Sequence, residues 1–342
     1  HSIGKLLGEI PVLLSKEKFY RVVFYFSDSS DLVAKEIQSN VDQAIELPWN
    51  LSQAQKIIAK EELDILFYPE IGMDPLTFYL AFARLAPIQC TTWGCTGTAP
   101  PNIDYFFSSK HLETPISLEN YHEKVILMEN LIPYYVKPHI PSKLKSRQYF
   151  GLDEHSHLYL CPQSLFKIHP DFDSLITEIL SQDQQGILVL IQGKHPAWTK
   201  KLKQRFEKTM PKVSNRIHFL PRQSPEDFTH LVMLAEVMLD PLYLSGGNTT
   251  YDSLITGTPI VTLPDQFQCS RITYACYQQM GMMDCVAHDE KSYVDLAIAI
   301  ATQPNLRNQL KQRIQQTSQA LYENKVAVDE LEVILQQLSA NS

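Results

Sequence analysis

LDPLYLSGGNTTYDSLITGTPIVTLP, residues 239–264, decides how this chain is read. An apolar strand ends near Leu239 and leads into a loop holding Gly246-Gly247. A helix opens at Asn248-Thr249-Thr250, and a β-branched strand over 259–263 closes the segment. Strand, glycine loop, helix and strand make the repeating unit of a parallel α/β sheet. Paired glycines permit a sharp turn and let a ligand approach where a side chain would intrude. The leading N–H groups of the next helix then face whatever lies over the loop. Thr249 and Thr250 add hydroxyls, and Asp252 stands one turn further on, within reach of a sugar hydroxyl. Two readings are open at this point: a cradle for a nucleotide diphosphate, or an ordinary strand-to-helix loop with a polar cap.

The same alternation recurs on both sides of this segment. Upstream lie strands over 158–161, 186–191, 217–220 and 237–239, with helices from about Asp171, over 196–210 and over 225–235. Ser224 and Pro225 supply a cap and a first helical residue for the last of these. The first half reads likewise: helix 1–14, strand 19–26, helix 51–62, strand 64–68, helix 75–85, and strands 88–93 and 103–108. Between them YYVKPHIPSKLK, residues 134–145, has the prolines and polar flanks of a linker. The tail from Tyr293 is helical. The expected fold is therefore α/β, with two doubly wound Rossmann-like domains at 1–140 and 146–342. Ligands of such folds bind at the strand C-termini, here expected in a cleft between the domains.

Composition bounds the function. A chain of 342 residues exceeds what one core organises, and 44% hydrophobic with 20% charged residues is globular material. A net charge of -8 argues against a nucleic-acid partner. The basic run at Lys200, Lys201 and Lys203 reads as the solvated face of a helix. No stretch approaches a membrane span, and no signal-peptide pattern opens the chain. Six cysteines (Cys90, Cys95, Cys161, Cys269, Cys276, Cys285) without CxxC spacing suit reduced, buried thiols and a cytoplasmic setting. The chain opens on a helical pattern without a methionine, so a preceding strand is expected in a longer parent.

Several loops carry chemistry. CPQSLFKIHP, residues 161–170, leaves a strand with Gln163, Ser164 and Lys167 at the ligand edge. A lysine there neutralises charge on a leaving diphosphate, although a surface lysine is the common alternative. Gln223 follows the strand ending at Leu220, and Phe228 either packs on a base or belongs to the core. WGCTGTAPP, residues 93–101, offers Gly97 and Thr98 to an acceptor or sugar. Asp171-Phe172-Asp173 has the spacing of a metal–nucleotide motif, but acidic residues in a first helical turn need no metal. His155 and His157 lack partners for a metal site.

The segments HSIGKLLGEIP (1–11), LAPIQCTTWG (85–94), CPQSLFKIHP (161–170), LAEVMLDP (234–241) and GGNTTYDSLITGTPIVTLP (246–264) run on to Arg271. In this order and spacing they resemble the O-linked N-acetylglucosamine transferase family, the glycosyltransferases of family 41. The resemblance implies a GT-B fold and a UDP-sugar donor, with no further cofactor and no metal. It makes Lys167 the essential lysine on the donor diphosphate, with Gln163 and Ser164 as neighbouring donor contacts. Asn248, Thr249 and Thr250, behind Gly247, match the phosphate-binding triplet. Asp252 matches a ribose-holding carboxylate, and Gln223 a residue whose backbone addresses uracil. His1 falls on a histidine discussed as base or acceptor contact. Three positions depart from the family: Asn248 and Phe228 replace histidines, and Asp265 stands where glycine is common. The tetratricopeptide repeats that recruit protein acceptors in the family are expected upstream in a longer parent chain.

The implied reaction is inverting transfer of a sugar, expected to be N-acetylglucosamine, to Ser or Thr of a protein. An Asn- or Ser/Thr-directed glucosyltransferase is the alternative within the family. A UDP-sugar epimerase and a non-catalytic UDP-sugar-binding module are the alternatives outside it.

Overall fold

The computed structural model describes residues 2–26, 32–94 and 99–340. They form two compact units: one runs to Val136 and resumes at Tyr322, and the other is Lys137–Leu321.

In the first unit, β1 (Val22–Phe26) pairs in parallel with β2 (Gln43–Leu47) as a separate two-stranded sheet. Strands β3 (Ile65–Tyr68), β4 (Ile88–Thr92), β5 (Tyr105–Ser109) and β6 (Lys124–Met128) form a parallel sheet in chain order. The helix Leu51–Lys60 starts where expected, because Asn50 Oδ1 accepts the Gln53 N–H at 3.0 Å. The helix Pro75–Leu80 ends earlier than its apolar pattern, which continues to Leu85. Strand β4 is buried along its whole length despite its polar residues. Each of these finds a partner: Gln89 Nε2 donates to Ala83 O and Asn102 O, Thr91 Oγ1 to Tyr68 O, and Thr92 Oγ1 to Phe107 O. The sequence reading does not include the helix Leu32–Asn40 or strands β2 and β6, whose strand residues are mostly half-buried.

The second unit holds one parallel sheet of β7 (His157–Cys161), β8 (Gly186–Ile191), β9 (Ile217–Leu220), β10 (Val237–Leu239) and β11 (Ile260–Val261). Their spatial order is β11-β10-β7-β8-β9. The chain thus winds outward from β7 to β9, then returns to the other side of β7 as β10. Between β7 and β10 the winding reverses, and the loops leaving their C-termini flank the crevice where doubly wound sheets bind ligands. The expected basic helix is Pro196–Thr209, with Leu202 and Phe206 buried and Lys200, Lys201 and Lys203 exposed. No described helix is long and apolar enough to cross a membrane. The five described cysteines are free thiols, four of them buried and Cys269 partly exposed.

The domain division needs one correction. The sequence reading gives 146–342 to the second half, but the helix Lys325–Ala340 packs in the first unit. Its stripe Ala327, Val328, Leu331 and Leu335 is buried. Two carboxylates fix it further. Glu330 accepts the N–H groups of Glu129 (2.6 Å) and Asn130 (3.3 Å), while Glu332 accepts Lys18 Nζ (2.6 Å) and the Ser15 N–H (2.9 Å). None of these partners is near in sequence, so periodicity cannot assign the helix to a unit. Leu331→Ala is expected to cost about 2–5 kcal/mol. In hydrogen exchange, β6 amides should lose protection while β7 amides keep theirs.

Candidate functional site

Beyond β7 the chain passes Gln163 and enters a short 3-10 turn, Leu165–Lys167, closed by the Lys167 N–H on Ser164 O at 2.9 Å. The turn lifts Lys167 toward the loop that follows β10. Its Nζ donates to Ser245 O at 2.7 Å and to Gln163 Oε1 at 3.3 Å. Gln163 is buried, and its Nε2 donates to Thr249 Oγ1 at 2.6 Å. Gln163, Lys167 and Thr249, expected together from sequence, are therefore one connected group. An ammonium carries three donors, so one hydrogen of Lys167 remains beyond these two bonds. Burial lowers the Lys167 pKa from its ordinary value, while the charges of Asp240, Cys161 and Cys269 act in the opposite sense.

The glycine loop departs from the sequence reading in its backbone donors. The Gly246 N–H turns inward to Asp240 Oδ1 at 2.9 Å. The Thr250 and Tyr251 N–H groups close back on Gly247 O, at 2.9 and 3.4 Å. These three N–H groups are spent inside the protein rather than on a ligand. The helix Asn248–Leu254 has only seven residues, so its dipole is small as well. What the loop offers instead is a close fit on one side and open space on the other. A Cβ at Gly246 would lie 2.6–2.8 Å from Thr250 Oγ1, Gln163 Nε2 and Thr249 Oγ1, whereas one at Gly247 would meet nothing within 4 Å.

Asp240, just after β10, is the residue that sequence reasoning missed. It is buried, and it accepts Ser245 Oγ at 2.6 Å and Thr262 Oγ1 at 2.9 Å on Oδ2, besides the Gly246 N–H on Oδ1. Its own carbonyl accepts the Tyr293 hydroxyl at 2.9 Å. Burial raises its pKa, against the lowering effect of the bonds from Ser245, Gly246, Thr262 and Thr273. The available signal was an aspartate at the end of an apolar strand, five residues before Ser245, where a buried charge needs donors. Tyr243 enters the same loop with a left-handed φ of 68°. Its hydroxyl donates to Asp171 Oδ2 at 2.8 Å, and its carbonyl accepts Cys269 Sγ at 3.3 Å.

The remaining candidates lie further out. Ser164 is exposed and its hydroxyl makes no capping bond. Asp252 is half-buried on the helix Asn248–Leu254. Gln223 turns its amide back to Pro221 O at 2.6 Å, and Phe228 is half-buried in the first turn of the helix Pro225–Leu234. Asp173 is taken by Arg205 and by Thr209 Oγ1, both at 2.8 Å, so the two acids of 171–173 serve separate structural partners. His157 pairs with Asp183 at 2.8 Å. His1, Gly97 and Thr98 lie outside the described residues.

Gly246→Ala should cost about 1–3 kcal/mol of stability, as overpacking does. Gly247→Ala should shift the melting temperature much less, since its Cβ enters open space. Thermal unfolding of the two variants side by side checks this.

A doubly wound unit with a lysine and a hydroxyl loop at its switch point is the architecture of a ligand-binding α/β domain, and the chain as a whole has the GT-B fold. Thermobaculum terrenum O-GlcNAc transferase, solved as a mutant, superposes with a TM-score of 0.85 at 20% identity, over 100% of this chain and 65% of that one. The model of Glycosyl transferase family 41 matches residues 136–331, more than half of the chain. The chain belongs to that family. A UDP-N-acetylglucosamine–peptide N-acetylglucosaminyltransferase of Caenorhabditis elegans is 26% identical over 197 residues, 57% of this chain and 17% of its own length. A probable enzyme of the same description from Arabidopsis thaliana is 21% identical over 313 residues, 88% of this chain and 32% of its own. The chain thus spans a third or less of the length of these curated relatives.

Proposed function

We propose that this chain is the catalytic region of an enzyme that transfers a sugar from a UDP-sugar to a protein. The observation that carries the reading is Lys167, half-buried at the switch point and joined through Gln163 to Thr249. Membership in a glycosyltransferase family supports it, as do the names of the worm and plant relatives, which specify transfer from UDP-N-acetylglucosamine to peptide.

In this reading the donor sugar is N-acetylglucosamine and the acceptor a Ser or Thr hydroxyl. The hydroxyl oxygen attacks the anomeric carbon from the face opposite the diphosphate, inverting that centre. The bond between sugar and diphosphate breaks, its electron pair leaves with UDP, and the acceptor proton passes to a base. Negative charge therefore grows on the diphosphate as the transition state is reached. Lys167 meets that charge with its remaining N–H, so it binds the transition state more tightly than the ground state. Gln163, Ser164, Gly247, Asn248 and Thr249 line the diphosphate side with Thr250 buried behind them, Asp252 takes the ribose, and Gln223 and Phe228 stand toward the base. His1, Gly97 and Thr98 belong to the acceptor side. Charge neutralisation by a lysine needs no metal, and Asp171 and Asp173 already have other partners.

Lys167→Ala should lower kcat about 100- to 1000-fold, the usual cost of removing one such donor, with the melting temperature preserved. Retention of most of the turnover would refute the assignment. Because Lys167 acts as the protonated amine and burial lowers its pKa, the alkaline limb of kcat/KM should fall below 10.5, the ordinary lysine value. Mass spectrometry after incubation with several UDP-sugars, with and without peptide, separates the alternatives. Transfer requires peptide, epimerisation does not, and a binding module yields no product.

A further inference from the structure

Hydroxyl groups have one proton each, so a chain of them has a direction, and the direction decides which end can donate. Two such chains meet at Gly246. The first starts at Lys167, which has only donors. Its Nζ faces Gln163 Oε1, which turns Gln163 Nε2 to Thr249, so Thr249 Oγ1 is the acceptor in that bond. The Thr249 proton finds no acceptor among the described residues and is left for a group outside. The second chain starts at Asp240, a carboxylate that only accepts. Ser245 spends its proton on Asp240 Oδ2 at 2.6 Å. Ser245 Oγ then accepts from the Thr273 N–H at 3.0 Å and faces Thr273 Oγ1 at 2.9 Å. The Thr273 proton stays within the same cluster, toward Ser245 Oγ or the Asp240 carboxylate. Thr273 Oγ1 therefore accepts in its contact with Thr250 Oγ1 at 2.8 Å, and Thr250 spends its proton inward. Burial agrees with this order: Thr250 is 1% exposed, and Thr249 is half-exposed.

We infer that Asp240 is a positioning residue that sets the polarity of the Ser245–Thr273–Thr250 chain, so that Thr249 alone of the two threonines presents a hydroxyl proton to the donor diphosphate. The inference rests on the diphosphate reading of this loop. Asp240 also holds the loop's shape, since the same carboxylate takes the Gly246 N–H and Thr262 Oγ1. Through Ser245, whose carbonyl accepts Lys167, it fixes the height of the ammonium as well. An amide at this position breaks the logic. With Oδ1 still accepting from Gly246, the nitrogen of an Asn faces Ser245 and Thr262 with protons where an acceptor is required.

The test is calorimetric titration of UDP into the parent, Thr249→Val, Thr250→Val and Asp240→Asn proteins, with melting temperatures and uridine affinities by ligand-observed NMR. Thr249→Val should weaken UDP binding about tenfold or more, the effect of losing a hydrogen bond to a charged group, with little change in melting temperature. Thr250→Val should reverse the ranking, lowering the melting temperature most and UDP affinity least. Asp240→Asn should lose UDP affinity while uridine affinity holds, because the nucleoside needs no phosphate donors. A general loosening of the fold lowers both. Equal loss of UDP affinity in the two threonine variants, or parent-like UDP binding by Asp240→Asn, overturns the inference while leaving the diphosphate reading in place. A parent protein that does not bind UDP overturns both.

Discussion

The reversal of winding between β7 and β10 is the constraint on which the rest of the site depends. Parallel strands need crossover connections, and these are right-handed, so helices leaving β7 and β10 in opposite senses cover opposite faces of the sheet. The two loops are left side by side with no helix between them. That is why Gln163 and Thr249, far apart in sequence, lie 2.6 Å apart. Gln163, Lys167, Asp240, Ser245 and Gly246 all come from these two loops, while Thr262 follows β11 and Thr273 lies in the helix Ile272–Met280. Any ligand held here is held by the topology first and by particular side chains second.

Placing a carboxylate at such a point is costly, since a buried charge without donors destabilises the fold. Asp240 offsets that penalty with the Gly246 N–H and the hydroxyls of Ser245 and Thr262, and its charge in turn acts to raise the pKa of Lys167. An apolar residue of similar size would remove the buried charge, but removing one partner of a buried network costs stability. It would not orient hydroxyl protons, and it would leave the Gly246 N–H and two hydroxyls without acceptors. The polar choice therefore both orders the loop and keeps its buried donors satisfied.

Much of this was legible from the chain. Alternating short apolar runs and amphipathic segments disclosed two parallel α/β units, and CPQSLFKIHP with GGNTT disclosed Gln163, Lys167 and Thr249 as partners. What escaped has a physical pattern. Glu330 and Glu332 tie the last helix to residues some 200 and 314 or more positions away, and no local period encodes such distances. The inward turn of the Gly246, Thr250 and Tyr251 N–H groups escaped because a glycine-rich motif shows where the backbone can bend, not which way its amides point. Asp240 stood in plain view within the opening stretch, but its meaning lies in burial, which one sequence reports only indirectly.

With those three amides turned inward, one hydrogen of Lys167 and the proton of Thr249 remain among the donors that face outward. In the proposed reaction an ammonium at this point suits transient charge better than backbone N–H groups alone. A loop lined with free N–H groups grips an anion equally before and after bond breaking, and uniform binding of that sort does not accelerate the chemical step. A half-buried ammonium behaves differently. Its charge is already partly stripped of water, as its lowered pKa records, and its energy drops most when negative charge appears beside it. Because Ser245 O and Gln163 Oε1 hold it in place beforehand, little reorganisation accompanies that moment. In the proposed reaction the electrostatic work falls chiefly on Lys167 and the Thr249 hydroxyl, which Gln163 links across the β7–β10 crevice.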